Sequence, residues 1–128
     1  MLRILFGIFI ILHGLVHLIY FGQSARLFEL QPGMTWPDGS WALSNIFKKR
    51  AVRVLASLAM IIAGLGFLGG GAGMLLDQNW GSLTIKYVAI LSTVALALFW
   101  DGGLIKIADK GLVGIIINIA IYALTLVF

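Results

Sequence analysis

Four stretches of this chain are apolar for long enough to cross a lipid bilayer, and that restricts the fold before any single side chain is considered. A helix needs about 20 mostly apolar residues to span the hydrocarbon core, with a range of about 17–25. Residues 2–21, 52–76, 84–100 and 111–128 meet that requirement. Inside hydrocarbon no water is present to bond the backbone, so a lone spanning segment must be a helix that satisfies its own N–H and C=O groups. This holds even for the second stretch, which carries six glycines. Composition agrees: 61% of the residues are hydrophobic and 11% charged, against about 25% charged in soluble domains. A chain of 128 residues could not hide that much apolar surface from water.

The expected fold is therefore all-α: an integral membrane, left-handed four-helix bundle formed by one domain over residues 1–128. The connection 22–50 is the sizeable extramembrane piece. Its "QPGMTWPDGSW" carries Pro-Asp-Gly turn chemistry, and Trp36 and Trp41 suit the headgroup region. The following "SWALSNIFKKR" reads as a short interfacial helix. The links "DQNWGS" and "DGGLIKIADK" are short, which makes sequence neighbours antiparallel and adjacent. Arg3 and "FGQSA" could mark a signal peptide, but two histidines interrupt its apolar run, and a span is the better reading.

Basic residues orient the chain. Arg26, Lys48, Lys49, Arg50, Arg53, Lys106 and Lys110 belong to one side, and Arg3 and Lys86 to the other, accounting for all 9 Lys and Arg. Both termini are expected outside, with 22–50 cytoplasmic. The net charge of +4 fits orientation and lipid headgroups. No basic stretch interleaved with aromatics suggests nucleic acid. The absence of cysteine excludes disulfides and thiolate sites.

Small residues recur at spacings of three and four in each span. The second has Ala56, Ala59, Ala63, Gly66, Gly70 and Gly73, the first Arg3, Gly7, Ile10, Gly14 and His17. The third has Ala89, Thr93 and Ala97, the fourth Gly111, Gly114, Asn118, Tyr122 and Thr125. Such stripes let membrane helices approach closely, and Gly66–Gly70 is a GxxxG pair. Gly7, Gly14, Ala63, Gly66, Gly70, Gly73 and Gly114 are the expected packing residues. A period near 3.5 favours left-handed crossing at roughly +20°.

His13 and His17 stand four residues apart in the apolar first span. At 100° per residue, His13, His17 and Tyr20 share an arc of roughly 60°. With Ser92 or Thr93 and with Asn118, His13 falls near mid-span, which suggests a polar layer at the bilayer midplane. His13, His17, Tyr20, Thr93, Asn118 and Tyr122 are the candidate ligand-binding residues. The plainer reading is that such groups glue helices together, each bond contributing about 0.6–2 kcal/mol. Intramembrane ionisable residues also mark functional sites. Two histidines on one helix face cannot clamp a haem from both sides within one chain, which leaves a single ligand or a haem shared between copies. HxxxH can supply two zinc ligands, but no acidic residue within a span completes a set. No metal site and no catalytic residues are expected: there is no P-loop, no GxSxG and no carboxylate pair. "GLGFLGGGAG" is a packing surface, lacking the strand and the Lys-Ser/Thr of a phosphate cradle.

The run "LRILFGIFIILHGLVHLIYF" resembles the first helix of DoxX-like small membrane proteins, which carry an Arg near the start of the span and a His-Gly-Leu within it. Arg3, His13, Gly14 and Leu15 occupy those positions. The resemblance covers about twenty residues and the four-helix topology. It implies an accessory membrane subunit linked to quinone or sulfur redox systems. Two functions follow. One is a non-catalytic accessory or interaction subunit in the lipid bilayer, with partner subunits or a second copy of itself. The other is a lipid- or small-molecule-binding protein, or an enzyme, with a midplane site at His13, His17, Tyr20 and Asn118. A filled midplane favours the first, and a pocket between the first and fourth spans favours the second. No cofactor is read from the motifs; the histidines leave haem open, and the resemblance implies a link to quinone.

Overall fold

A computed structural model describes residues 1–128. The chain is all-helical and has no strand: α1 is Leu2–Ser24, α2 Lys49–Leu75, α3 Asn79–Leu98 and α4 Val113–Thr125. A π-helical turn, Ala108–Leu112, leads into α4, with Gly111 at φ 109°. All four helices, the last counted from Ala108, are long and apolar enough to cross a membrane.

α2 and α3 begin before the apolar limits seen in the sequence, while α4 ends at Thr125, inside them. α2 starts at Lys49 rather than near Val52, and α3 at Asn79 rather than Thr84. Polar residues extend a helix readily where its backbone has a neighbour to pack against. Gly81 provides this for α3, since a Cβ there would fall 2.5 Å from the amide nitrogen of Met74. Only a residue with no side chain lets the two backbones meet so closely.

α1 packs on α2, α2 on α3 and α3 on α4, whereas α1 and α4 meet through side chains. The α1–α2 seam is built on glycines seven residues apart in both helices. Gly7 faces Gly71 and Gly14 faces Gly64; a Cβ on Gly14 would lie 2.9 Å from the Gly64 carbonyl oxygen. The Gly66–Gly70–Gly73 stripe serves a different neighbour, because these residues meet Val88, Ile85 and Trp80 of α3. Gly64 and Gly71, outside that stripe, are what admit α1. Gly114 approaches Leu96 of α3, and Ala63 is fully buried.

Two apolar clusters fill the interior. Phe6, Ile10, Phe67, Met74, Ile85, Ala89 and Ile121 form one. Trp36, Val52, Ala56, Met60, Ala95, Leu96 and Phe99 form the other, toward the long connection. Large side chains such as Leu12, Leu58, Val94 and Ile119 point outward and are exposed.

The long connection folds back over one end of the bundle. Its stretch 41–46 is a run of hydrogen-bonded turns, not the interfacial helix expected there. The turns serve α3: Ser40 Oγ donates to the Leu98 carbonyl and Trp41 Nε1 to that of Ala97. Those carbonyls belong to the last turn of a helix, where no intrahelical partner exists. Trp36 departs from its expected place at the membrane surface, since it is 5% exposed and enters the second core cluster. Trp41 does stay exposed. Gln23, at the end of α1, holds the loop from inside, donating to the Met34 and Trp36 carbonyls and accepting from the Leu30 N–H. Arg26 adds bonds to the Thr35 carbonyl and an ion pair with Asp38. At the opposite end, Arg3 pairs with Asp77 and donates to the Met74 carbonyl.

Candidate functional site

Four of the buried polar residues form one closed ring. α1 carries His13 and His17 one turn apart on its inner face, α3 brings Ser92 and α4 brings Asn118, all buried. His17 Nδ1 lies 3.0 Å from the His13 carbonyl oxygen, and His17 Nε2 lies 2.6 Å from Ser92 Oγ. Asn118 Nδ2 is 2.8 Å from Ser92 Oγ, and Asn118 Oδ1 is 2.8 Å from His13 Nε2.

The direction of every bond follows from one atom. A backbone carbonyl can only accept, so His17 Nδ1 must carry the proton. In a neutral imidazole His17 Nε2 is then an acceptor, and Ser92 must donate to it. The Ser92 oxygen in turn accepts from the Asn118 amide nitrogen. That turns Asn118 Oδ1 toward His13, whose Nε2 must be the donor. The remaining nitrogen, His13 Nδ1, is left with a lone pair, and it makes no hydrogen bond within the chain.

His13 and His17 also border a cavity of about 120 Å³ between α1 and α4. Tyr20, Met60, Leu96 and Ile117 supply much of its wall, together with Gly111 and Gly114. The glycines and the side-chain-only contact between α1 and α4 account for the space. Phe67 packs against both imidazoles, with its ring 4.9 Å from that of His13 and 5.1 Å from that of His17. Tyr20 stands at the end nearest the long connection. Its hydroxyl donates to the Asp109 carbonyl at 3.1 Å, and its ring meets that of Trp36 edge to face at 5.3 Å.

Beyond Tyr20 and Trp36 lies a second, polar pocket of about 200 Å³, bordered by residues 31–39 and by Asp101, Lys106, Asp109 and Lys110. Asp101 lies outside the spans. Partial burial pushes its carboxyl up, but hydrogen bonds from Lys110 and the Gly103 N–H, with the Lys110 charge, outweigh this and hold it below the ordinary carboxylate range.

Of the residues marked from the sequence, Tyr20 borders the cavity without joining the ring, and Thr93 and Tyr122 stand apart from both. Thr93 gives its hydroxyl proton to the Ala89 carbonyl of its own helix. It borders a shallow outer groove with Tyr122 and the outer side of Asn118. Ser92, its neighbour in sequence and the alternative at that depth, takes the place in the ring. Ser92 follows Ile85 and Ala89 along the buried face of α3, and that spacing is the signal that separates it from Thr93. From α2, Met60 lines the cavity and Phe67 packs on the imidazoles; neither carried any polar signal.

No group of three or more His, Asp or Glu side chains is placed to hold a metal ion. A haem iron bound to either Nε2 would break a bond of the ring. No family model, curated protein or solved structure matches the chain.

Proposed function

We propose that this chain is a non-catalytic membrane protein that holds a small lipid-soluble molecule between its first and fourth helices. The carrying observation is the unpartnered lone pair of His13 Nδ1 on a residue that borders an otherwise apolar cavity. In hydrocarbon such an acceptor finds no water to donate to it, and a ligand hydroxyl or N–H supplies that donor. An apolar cavity of roughly 150 Å³ accepts a benzene ring, and the present one is about 120 Å³. The fitting class is a ring-sized, hydroxyl-bearing apolar molecule, of which a quinol headgroup is a member. Its tail would leave between α1 and α4 into lipid. The ring of four side chains keeps its own protons occupied, which suits binding better than proton transfer.

In the same reading the helices insert in the bilayer as a left-handed bundle. The long connection and the basic residues beside it face the cytoplasm, because lysine and arginine are retained on that side. The likeness to DoxX-like proteins belongs to this proposal too. Of the residues that carry it, Arg3 reaches Asp77, His13 reaches Asn118 and Gly14 meets the backbone of α2.

The test is a titration of histidine-labelled protein with a short-chain hydroquinone, followed by ¹⁵N NMR. The His13 Nδ1 resonance is expected to move on accepting a hydrogen bond, and the oxidised quinone, which has no donor, should move it less. Ile117→Phe, which adds volume to the cavity wall and leaves the ring intact, should abolish the shift. An unmoved His13 resonance at saturating hydroquinone would rule the site out.

A further inference from the structure

We propose that the cleft between the C-terminal end of α1 and the N-terminal end of α2 binds the phosphate headgroup of an anionic phospholipid. The cleft has a volume of about 430 Å³ and lies apart from the histidine cavity. Arg26, Arg50 and Arg53 border it, with Ser24 and Ser57.

The arginines are not balanced by acid. Arg26 and Arg53 both turn toward one oxygen of Asp38, Arg53 at 3.5 Å. Arg50 makes no hydrogen bond or ion pair. Two guanidinium groups thus share one carboxylate, the third has none, and Lys48 and Lys49 stand beside them with no acidic partner. Arg50, Arg53 and Ser57 follow one another at spacings of three and four, so they share one face of α2.

The serines do not compete for the ligand. Ser24 and Ser57 are bonded to each other at 2.8 Å, and each also contacts a backbone carbonyl, of Phe21 and Arg53 respectively. Two hydroxyl protons serve three contacts, so none is left over. The donors for an anion are the guanidinium groups of Arg50 and Arg53, whose planar fork fits two phosphate oxygens at once; Arg26 spends its terminal nitrogens on the Met34, Thr35 and Trp36 carbonyls and on Asp38 and lends the cleft its charge.

A lipid, rather than a soluble anion, is the occupant because of what adjoins the arginines. Val54 and Leu58 continue the cleft down α2 and are 51% and 52% exposed. They give an acyl chain an apolar path directly below the charged rim. A free phosphate would gain nothing from them. Basic pockets between helices at the cytoplasmic surface are suited to this recognition, each Lys or Arg adding about 1 kcal/mol.

Native mass spectrometry of the full chain in an uncharged detergent tests the assignment, with phosphatidylglycerol or phosphatidylcholine added. Phosphatidylglycerol should be retained in preference. Arg50→Gln should weaken that retention about fivefold and Arg50→Gln with Arg53→Gln about 25-fold, while Lys86→Gln, at the other end of the bundle, should leave it unchanged. Because Arg50 has no partner in the fold, its single variant carries the test if the double variant does not fold. Equal retention of the two lipids, or retention insensitive to Arg50→Gln, would overturn the site. Loss of the lipid to millimolar inorganic phosphate would overturn the lipid assignment in favour of a soluble anion.

Discussion

His17 Nδ1 sits 3.0 Å from the backbone carbonyl oxygen of His13, one turn earlier in the same helix. That contact decides where the protons lie on four side chains from three helices. It makes the two imidazoles opposite tautomers, His17 protonated at Nδ1 and His13 at Nε2. In ¹⁵N spectra of histidine-labelled protein, the protonated nitrogen should be δ in one residue and ε in the other. Two identical tautomers would contradict the direction assigned to the ring.

Ser92 and Thr93 are adjacent hydroxyl residues at the same depth, yet their removal should differ. Ser92→Ala deletes the donor to His17 and the acceptor for Asn118. Each orphaned group costs about 1–3 kcal/mol. Thr93 bonds only within its own helix, so Thr93→Ala should stay within about 0.5 kcal/mol. Reversible unfolding in mixed micelles measures both, and equal losses would refute the ring.

Glycines in α2 and its partner should divide sharply on substitution by alanine. At Gly14 the new methyl meets the Gly64 carbonyl oxygen at 2.9 Å and Phe67 Cβ at 3.0 Å, neither of which can swing away. Gly14→Ala should cost about 1–3 kcal/mol. At Gly69 nothing lies within 4 Å. Gly69→Ala should be neutral or stabilising by up to about 1 kcal/mol, the helix preference for alanine. The same unfolding measurement decides it, and tolerance at Gly14 would dissolve the seam.

Orientation is checked with a cysteine introduced into the chain, which has none of its own. Ser40 is unsuitable, being buried and bonded to α3. Asn45 is exposed in the same connection. Asn45→Cys should resist an impermeant thiol reagent in intact cells and react after permeabilisation. Labelling in intact cells would reverse the topology.

Asp101 gives the connection before α4 a dependence on acid. Its carboxyl, held low by Lys110 and Gly103, favours the folded loop above the unfolded carboxylate value of about 3.9. That contribution is lost as pH falls through the lower folded value. Carboxyl ¹³C titration should show Asp101 protonating below the ordinary range, and Lys110→Met should move it upward. An unchanged titration in Lys110→Met would remove the lysine as the cause.

The number of helices and the inward face of α1 were legible because each rests on a rule that one segment obeys alone. A span needs its length of apolar residues, and His13, His17 and Tyr20 share a face by periodicity. What escaped depends on the neighbour. α2 has glycines on two faces, and nothing within its own sequence shows that Gly64 and Gly71 meet α1 while Gly66 and Gly70 meet α3. The match appears only when the seven-residue interval of Gly7 and Gly14 is laid against them. Ser92 and Thr93 differ by a single 100° step, and the position of Asn118 on another helix selects between them. The folded connection depends on Gln23 and Arg26 reaching across it, which no local pattern announces.

The repeat along the α1–α2 seam carries an ambiguity that the ends of the helices remove. Sliding α1 by seven residues would still set one glycine against another, Gly14 opposite Gly71, so the notches alone are a vernier with more than one match. Such a slip would carry Arg3 away from Asp77 and Ser24 away from Ser57, the contacts at the two extremities of the pair. These act as end-stops. α1 and α2 can thus find their alignment as a hairpin, before α3 and α4 arrive to complete the polar ring.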